Sequence, residues 1–314
     1  MSGDVLMFTP ALNLVRGAKA GSADAMPLFG TEVSTPDGSC LKIESSIRTA
    51  SYSPSEDAVR SRLLSDLTLV PGIGAVRSAE LRRRGVRTLR GLRSTKWAAP
   101  AAEIADCIEN GSIQEIQQMF SEMHRSSEPL LLGLSAKSPE HRLYFDIETL
   151  GMVHAPIILF GIGEEQAGSV RVTQYLIRDI EEEAAALLLT AGHFHRDSSV
   201  VTYNGRAFDI PYLNDRLAYY GERPVRFQTH FDLLHPTRRL FKNQLPDCCL
   251  GTVEEHILHL ERDIDIPGAL VPVYYQNYLR RKNLSILKPI VEHNKMDVAN
   301  LARLLSYETE LLYG

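Results

Sequence analysis

Apolar positions divide the chain into stretches with different periodicities. From about residue 60 to residue 124 they recur at helical spacing, in short segments separated by Gly and Pro. From residue 141 onward, strands are predicted at Arg142–Ile147, Pro156–Gly161, Val170–Leu176 and Ser199–Tyr203, and helices at Ile180–Ala191 and Ile210–Tyr220. Beyond Asp232 the pattern is mainly helical. Three strands in a meander, followed by helix, strand and helix, predict a mixed α/β sheet flanked by helices.

The first 59 residues show weak periodicity and are rich in Ser, Ala, Gly and Thr. Short strands at Thr31–Ser34 and Cys40–Glu44 are predicted on either side of the turn sequence Thr35–Gly38. The changes in pattern predict four segments along the chain. They are a partly extended N-terminal arm (residues 1–59), a small all-α domain (60–125), a linker (126–140) and an α/β domain (141–314).

Composition places the chain among globular proteins and leaves its partners open. Of its 314 residues, 44% are hydrophobic and 23% are charged, and the net charge is −5 at pH 7. A negative net charge does not indicate a nucleic-acid-binding protein, but it does not exclude one, because binding depends on local patches. There is no signal peptide and no apolar stretch of about 18 residues, so we expect a cytoplasmic protein that does not contact a membrane.

Two carboxylates interrupt the first strand of the predicted α/β domain. Asp146 and Glu148 are two residues apart, so the period of a strand puts both on one face of the sheet. Carboxylates in an apolar strand need a compensating cation or hydrogen bonds. A hard divalent cation bound through oxygen ligands would compensate both. Considered alone, however, an Asp-x-Glu pair more often faces solvent at the end of a strand.

Two further acidic motifs follow along the chain. Asp209 lies between a predicted strand and a predicted helix, where α/β proteins place chemistry, although an Asp at this position, considered alone, is more often the N-cap of the helix. His293 and Asp297 are four residues apart at the start of the last predicted helix, so they share one helix face. Considered alone, that pair would favour a structural contact on the helix surface.

Together, the three motifs resemble those of the DEDD group of ribonuclease-H-like exonucleases, and most closely the YprB-like branch of that fold. They are Asp-x-Glu at 146–148, Asn-x-x-x-Phe-Asp at 204–209 and His-x-x-x-Asp at 293–297. The resemblance covers residues 141–312, with further similar stretches at Phe231–Leu233, Leu250–His256, Asp265–Gly268, Pro272–Tyr275 and Tyr278–Arg280.

This resemblance implies a ribonuclease-H-like fold and a 3′–5′ exonuclease that cleaves DNA or RNA with two Mg²⁺ or Mn²⁺ ions. It implies that Asp146 bridges the ions, and that Glu148, Asp209 and Asp297 complete their coordination. Asn204 and Phe208, in the second motif, are candidate contacts to nucleic acid.

His293 is the candidate proton acceptor, because an unperturbed imidazole titrates near neutral pH. The DEDD group carries either Tyr four residues before the last Asp or His five residues before it. In this chain His293 lies four residues before Asp297, and Glu292 lies five before it. Histidine therefore stands at the spacing that the group gives to tyrosine.

The small helical domain carries a second candidate function. Val70–Gly74 joins two helical stretches and resembles the hairpin of a helix-hairpin-helix motif, in which Gly72 and Gly74 would let the backbone approach a phosphate at the start of the next helix. Residues 77–96 carry one acid, Glu80, and eight basic side chains: Arg77, Arg82, Arg83, Arg84, Arg87, Arg90, Arg93 and Lys96. The candidate backbone contacts among these are Arg77, Arg83, Arg84 and Arg87. The alternative is a tight interhelical turn with solvent-facing arginines.

We therefore expect a two-part enzyme, in which a helix-hairpin-helix module holds nucleic acid and a ribonuclease-H-like domain cleaves it. Two alternatives stay open. One is an endonuclease or hybrid-specific ribonuclease of the same fold. The other is a non-catalytic nucleic-acid-binding or repair-scaffold protein.

Overall fold

The computed structural model describes residues 30–137, 141–166, 168–262 and 266–314. Within these ranges the strands are β1 (Thr31–Thr35), β2 (Gly38–Arg48), β3 (Arg142–Thr149), β4 (Ile157–Gln166), β5 (Ser169–Leu176), β6 (Ser199–Thr202) and β7 (Thr229–Asp232). The α-helices are α1 (Glu56–Ser65), α2 (Ala75–Arg83), α3 (Ala98–Asn110), α4 (Ile113–Glu122), α5 (Glu183–Ala191), α6 (Asp209–Tyr219), α7 (Leu234–Phe241), α8 (Leu250–His256), α9 (Val271–Arg281) and α10 (Lys288–Tyr313). Short 3-10 turns connect several of them.

All seven described strands form one mixed sheet in the order β1-β2-β5-β4-β3-β6-β7. β3, β4 and β5 form an antiparallel meander, whereas β6 and β7 run parallel to β3. The predicted α/β fold with a mixed, helix-flanked sheet is confirmed. β7 was not predicted, because four residues are too few to show a strand period beside the helical pattern that follows.

The predicted N-terminal strands exist and extend the same sheet. β2 pairs with β5 along eight positions, from Leu41 opposite Leu176 to Arg48 opposite Ser169. Cys40 and Leu41 are fully buried by this pairing. Residues 1–29 of the predicted arm and 138–140 of the predicted linker lie outside the described residues.

Alternation along β3 separates two hydrophobic cores. Leu143, Phe145 and Ile147 face the core that includes residues of α5, α6 and α9. Tyr144 faces the opposite core, which contains α10 and the apolar residues of α1, α3 and α4. Because side chains alternate along a strand, Asp146 and Glu148 lie on the same face as Tyr144 and point towards α10.

Two glycines of β4 let α10 lie close to the sheet. A Cβ atom added to Gly161 would come within 2.3 Å of Asn294 Oδ1 and 2.7 Å of a Val298 methyl carbon. One added to Gly163 would come within 2.7 Å of the other Val298 methyl carbon. Gly161 is also the register partner of Asp146 on β3. The missing side chains therefore set the distance between α10 and the acidic strand.

Helices α1 to α4 pack through their apolar faces against the α10 side of the sheet. The 3-10 segment Pro129–Lys137 connects them to β3, and Tyr52 N–H donates to Ser306 Oγ of α10 at 2.7 Å. Among the described helices, none has the length and apolarity needed to cross a membrane.

We expect Gly161→Ala to lower the free energy of unfolding by about 1–3 kcal/mol, because the new methyl group overpacks a contact with no free space. Urea denaturation measures the change. Gly251→Ala is the matched control, since an added Cβ meets nothing within 4 Å at that position. Equal stabilities of the two variants would contradict the close packing of α10.

A buried carboxyl group in α10 makes stability depend on pH. Glu308 is fully buried, and its Oε1 accepts a 2.6 Å hydrogen bond from Thr237 Oγ1. Its Oε2 has no hydrogen-bond partner among the described residues. Burial raises the pKa of Glu308 from 4.5 to about 8.

Because the folded-state pKa is the higher one, this group stabilises the fold fully below pH 4.5, and the contribution is lost as pH rises through 8. Glu308→Gln should therefore be more stable than the wild type at pH 8, by on the order of 2–4 kcal/mol relative to their difference at pH 5. Urea denaturation at both pH values measures this difference. Glu310→Gln, at an exposed position of the same helix, should show no such change. Parallel pH profiles for wild type and Glu308→Gln would contradict the prediction.

Candidate functional site

The first and third sequence motifs meet where the end of β3 faces the N-terminal half of α10. His293 Nε2 lies 3.7 Å from Glu148 Oε1 and 3.5 Å from Asp297 Oδ2. One potential ligand atom from each of these residues lies within 4.8 Å of the other two. His293 and Asp297 share a helix face through their four-residue spacing, as the sequence predicts. The three side chains are largely buried, with 10 to 15% of their surface exposed.

Asp146 lies beside this group and is held by α10. Its Oδ2 accepts a 2.8 Å hydrogen bond from Asn294 Nδ2. Burial raises the pKa of Asp146 well above its ordinary value, and the negative charges of Asp297, Asp209 and Glu148 add to the increase. The carboxylates are thus close enough to repel one another, although Asp146 and Asp209 are not part of the 4.8 Å group.

Asp209 joins the cluster from the second motif. It is the first residue of α6, and Phe208 occupies the N-cap position, so the interpretation of Asp209 as the N-cap is wrong. Its Oδ1 instead accepts a 3.2 Å hydrogen bond from Ile147 N–H of β3. Burial raises the pKa of Asp209, against the effect of this hydrogen bond, and the charges of Asp232 and Asp297 raise it further.

A polar chain that the sequence analysis missed supports Asp146. Gln174 of β5, fully buried, donates through Nε2 to Asn294 Oδ1 at 2.7 Å and to the Val291 carbonyl at 3.0 Å. Asn294 is thereby oriented with its amide nitrogen towards Asp146. A signal was available, because Asn294 stands inside the third motif and Gln174 interrupts an otherwise apolar strand.

A second missed element is an arginine inside the cluster. Arg262, from the segment after α8, donates to both carboxylate oxygens of Glu254 at 2.6 Å and also to Asp297 Oδ1. Burial raises the pKa of Glu254, although Arg262 opposes the increase. Sequence spacing gives no signal for this contact, since Arg262 lies 35 residues before Asp297.

Arg262 also determines the hydrogen bonding of His293. Arg262 Nη1 lies 3.1 Å from His293 Nδ1. An arginine can only donate, so Nδ1 must accept, and the proton of the neutral imidazole then sits on Nε2. Nε2–H faces the carboxylates of Glu148 and Asp297.

The remaining residues of the second motif form a turn beside the site. Asn204 adopts a left-handed backbone with φ of 65°, and its N–H donates to Asp232 Oδ1 at 2.8 Å. Arg206 N–H donates to Asp232 Oδ2 at 3.0 Å. Phe208 packs on Tyr212 with ring centroids 5.2 Å apart. The structure therefore places Asn204 at the edge of the carboxylate cluster and Phe208 against α6.

The basic residues between positions 77 and 96 lie in α2 and in the segment that follows it, and the candidate hairpin turn precedes α2. Gly72 has a φ of 83° and Gly74 precedes α2 without a side-chain cap. Arg77 donates to the Gly72 carbonyl at 2.7 Å and stacks on Trp97.

Some of the basic residues between positions 77 and 96 form ion pairs within the protein. Arg84 pairs with Glu80, and Arg90 pairs with Asp106 and Glu109. Arg83 and Arg87 are exposed and make no ion pair with another described residue. Among the four arginines predicted to contact the backbone, Arg83 and Arg87 are consequently the ones best placed to meet an external anion.

Comparison with known proteins agrees with this architecture. The RNase_H superfamily matches residues 143–308, which span the sheet from β3 onward and most of α10. The chain is also similar to the uncharacterized protein YprB of Bacillus subtilis (strain 168), with 31% identity over 198 residues. That alignment covers 62% of this chain and 48% of the relative, so the chain spans about half the length of the protein it matches. With its mixed sheet, flanking helices and matched residues over more than half its length, the chain belongs to the RNase_H superfamily.

Proposed function

We propose that this protein is a divalent-metal-dependent nuclease of the DEDD type, acting as a 3′–5′ exonuclease on DNA or RNA. One observation carries the proposal. Glu148, His293 and Asp297 bring their ligand atoms within 4.8 Å of one another, beside the half-buried Asp146 and the buried Asp209, in an RNase_H superfamily sheet. The cleavage polarity rests on the resemblance of the three motifs.

The donor set fits a hard divalent cation. Carboxylate oxygens are the ligands that Mg²⁺ and Mn²⁺ prefer. The pKa of Asp146 is raised by burial first and then by the negative charges of neighbouring carboxylates, which a bound cation would offset. We assign Asp146, Glu148, Asp209 and Asp297 as the residues that would hold two such ions. When bound, the ions would activate a water molecule and neutralise charge on the phosphate.

The protein's own contribution is to fix these carboxylates. Asn294 restrains Asp146, Ile147 N–H restrains Asp209, and Arg262 restrains Asp297. Preorganised ligands of this kind lower the reorganisation needed during the reaction.

We assign His293 as the proton acceptor. Its contact with Arg262 determines which ring nitrogen can take the proton. While Arg262 donates to Nδ1, Nε2 carries the proton and can only donate to a group between Glu148 and Asp297. To accept a proton at Nε2, His293 must first lose the contact with Arg262.

The same arginine favours one alternative. A guanidinium bound to Asp297 and Glu254 is the arrangement expected of a non-catalytic nucleic-acid-binding or scaffold protein that has replaced a metal by an internal cation. Endonucleolytic or hybrid-specific cleavage is the alternative within nucleases, and the product ladder of an end-labelled substrate separates it from exonucleolytic cleavage.

We expect the wild type to degrade end-labelled oligonucleotide with Mg²⁺ or Mn²⁺ and to stop with EDTA. Asp146→Asn should lower the rate about 100-fold or more, because it removes charge that holds the metal. Asn294→Ala should lower it by about 10- to 100-fold through loss of ligand orientation.

His293→Ala should lower kcat more than it raises KM. Gel analysis of single- and double-stranded DNA and RNA measures each rate.

Asp215→Asn is the matched control, since Asp215 is exposed on the same helix as Asp209. It should retain wild-type activity. Native-rate cleavage by folded Asp146→Asn protein would exclude the assigned metal site, and complete inactivity of the wild type with every substrate would favour the scaffold alternative.

We also propose that α2 and its preceding turn form a helix-hairpin-helix module that binds the nucleic-acid backbone. Arg83→Glu/Arg87→Glu should weaken duplex binding and lower the slope of log K against log salt by about 2, one unit per lost phosphate contact. Fluorescence anisotropy at several salt concentrations measures both quantities. The exposed pair Arg280→Glu/Arg281→Glu on α9 is the control for net charge. If both double variants give the same slope, the hairpin is only an interhelical turn.

A further inference from the structure

A cavity of about 420 Å³ lies between α4 and the β7 edge of the sheet. One wall is formed by three glutamines of α4, and the other by residues from Phe227 to Asp232 together with Arg206. Its size is within the range of small-molecule pockets, roughly 300–1,000 Å³. Neither α4 nor the β7 edge of the sheet encloses this space alone.

The cavity walls offer amide groups that the protein does not use. Gln118 donates to Glu122 at 2.9 Å. In contrast, the side-chain amides of Gln114, Gln117 and Gln228 make no hydrogen bond to any other described residue. Each such amide provides two donors and an acceptor, which is the pattern that reads the edge of a nucleobase. The ring of Phe227 adds an apolar surface beside them.

The charges around the cavity leave one cation available. Glu128 is neutralised by Arg125 at 2.8 Å and Arg239 at 2.9 Å. Asp232 accepts hydrogen bonds from the backbone N–H groups that follow β6 and β7. The exposed Arg206 makes no ion pair within the described part of the chain, and its Nη2 donates to the His230 carbonyl at 2.8 Å. A guanidinium with unused donors suits a phosphate.

His230 adds no second positive charge. Burial lowers the pKa of this imidazole to about 4, and the charge of Arg206 lowers it further while that of Asp232 opposes the decrease. Its Nε2 lies 2.9 Å from Thr202 Oγ1, so its ring is engaged within the sheet. The cavity therefore presents uncharged amides, an aromatic ring and one arginine, together with two carboxylates that are already engaged, Asp232 with backbone N–H groups and Glu128 with two arginines.

The cavity begins beside the carboxylate cluster. Asp232 lines it, and the charge of Asp232 contributes to the raised pKa of Asp209. The turn that carries Asn204 and Arg206 is bonded to the same Asp232 carboxylate. A strand with one phosphate at the cluster could thus place a neighbouring nucleotide in the cavity.

We propose that this cavity binds one unpaired nucleotide of the substrate strand, with the base against the glutamine amides and Phe227 and the phosphate at Arg206. The inference rests on the proposed nuclease function and specifies its substrate. In a duplex the base edge is already paired and the base is stacked, so a nucleotide enters such a cavity only from a single-stranded segment. The protein therefore prefers single strands, or the unpaired ends of duplexes.

The proposal is tested by measuring the binding of a fluorescent oligonucleotide of about ten nucleotides by fluorescence anisotropy. The oligonucleotide is used as a single strand and as a blunt duplex, and EDTA is present to prevent cleavage. Gln114→Ala/Gln117→Ala should weaken single-strand binding roughly 5- to 30-fold, as expected for two lost hydrogen bonds, without changing its salt dependence. Arg206→Ala should weaken it and also lower the salt slope by about 0.7, the value for one phosphate contact of a single strand. Duplex binding should stay unchanged in both variants.

Gln276→Ala and Arg281→Ala, at exposed positions of α9, are the matched controls and should bind both probes like the wild type. Thermal melting verifies that each variant folds. Wild-type single-strand affinity in the two cavity variants, or an equal loss for single strand and duplex, would overturn the inference.

The EDTA assay separates this inference from the proposed activity because it needs no hydrolysis. If the wild type cleaves and the cavity variants bind with wild-type affinity, only the proposed nucleotide-binding role of the cavity is overturned. If the cavity variants bind more weakly but the wild type does not cleave with any metal, the cavity proposal is supported and the nuclease proposal is overturned. A wild type that binds neither probe and cleaves no substrate with any metal would overturn both.

Discussion

The contact between α10 and β4 is the constraint on which the site depends. Gly161 and Gly163 remove the side chains that would hold the helix away, and Asn294 and Val298 occupy the space. Asn294 thereby reaches Asp146 on the neighbouring strand, and the next turn of the helix presents Asp297 to Glu148. A shift of the helix by the width of one methyl group would separate Asn294 from Asp146, which lies 148 positions earlier in the sequence.

Close packing of this kind brings carboxylates together, and uncharged hydrogen-bond donors from the protein limit the repulsion between them. Asn294 and the backbone of Ile147 each stabilise one carboxylate without adding charge. Arg262 adds a positive charge next to Asp297, but Glu254 is paired with the same guanidinium. The cluster therefore contains more carboxyl groups than cationic groups, which favours the binding of a cation from solution.

Much of the fold follows from local sequence pattern, whereas the support of the site does not. The period of β3 determines the face of Asp146 and Glu148, and helical spacing brings His293 next to Asp297, so these features can be predicted. The contacts of Arg262 and Gln174, and the pairing of β2 with β5, join distant parts of the chain without a local period. They depend on the tertiary arrangement, which sequence pattern alone does not specify.

The pairing of β2 with β5 shows that the sheet extends beyond the region matched to the RNase_H superfamily. The matched region begins at residue 143, yet β5 is covered by a strand from residues 38–48. A protein trimmed to the matched region would expose the backbone donors and acceptors of β5 along eight positions. Such an open edge invites pairing with a second chain, so the N-terminal hairpin protects the sheet against aggregation.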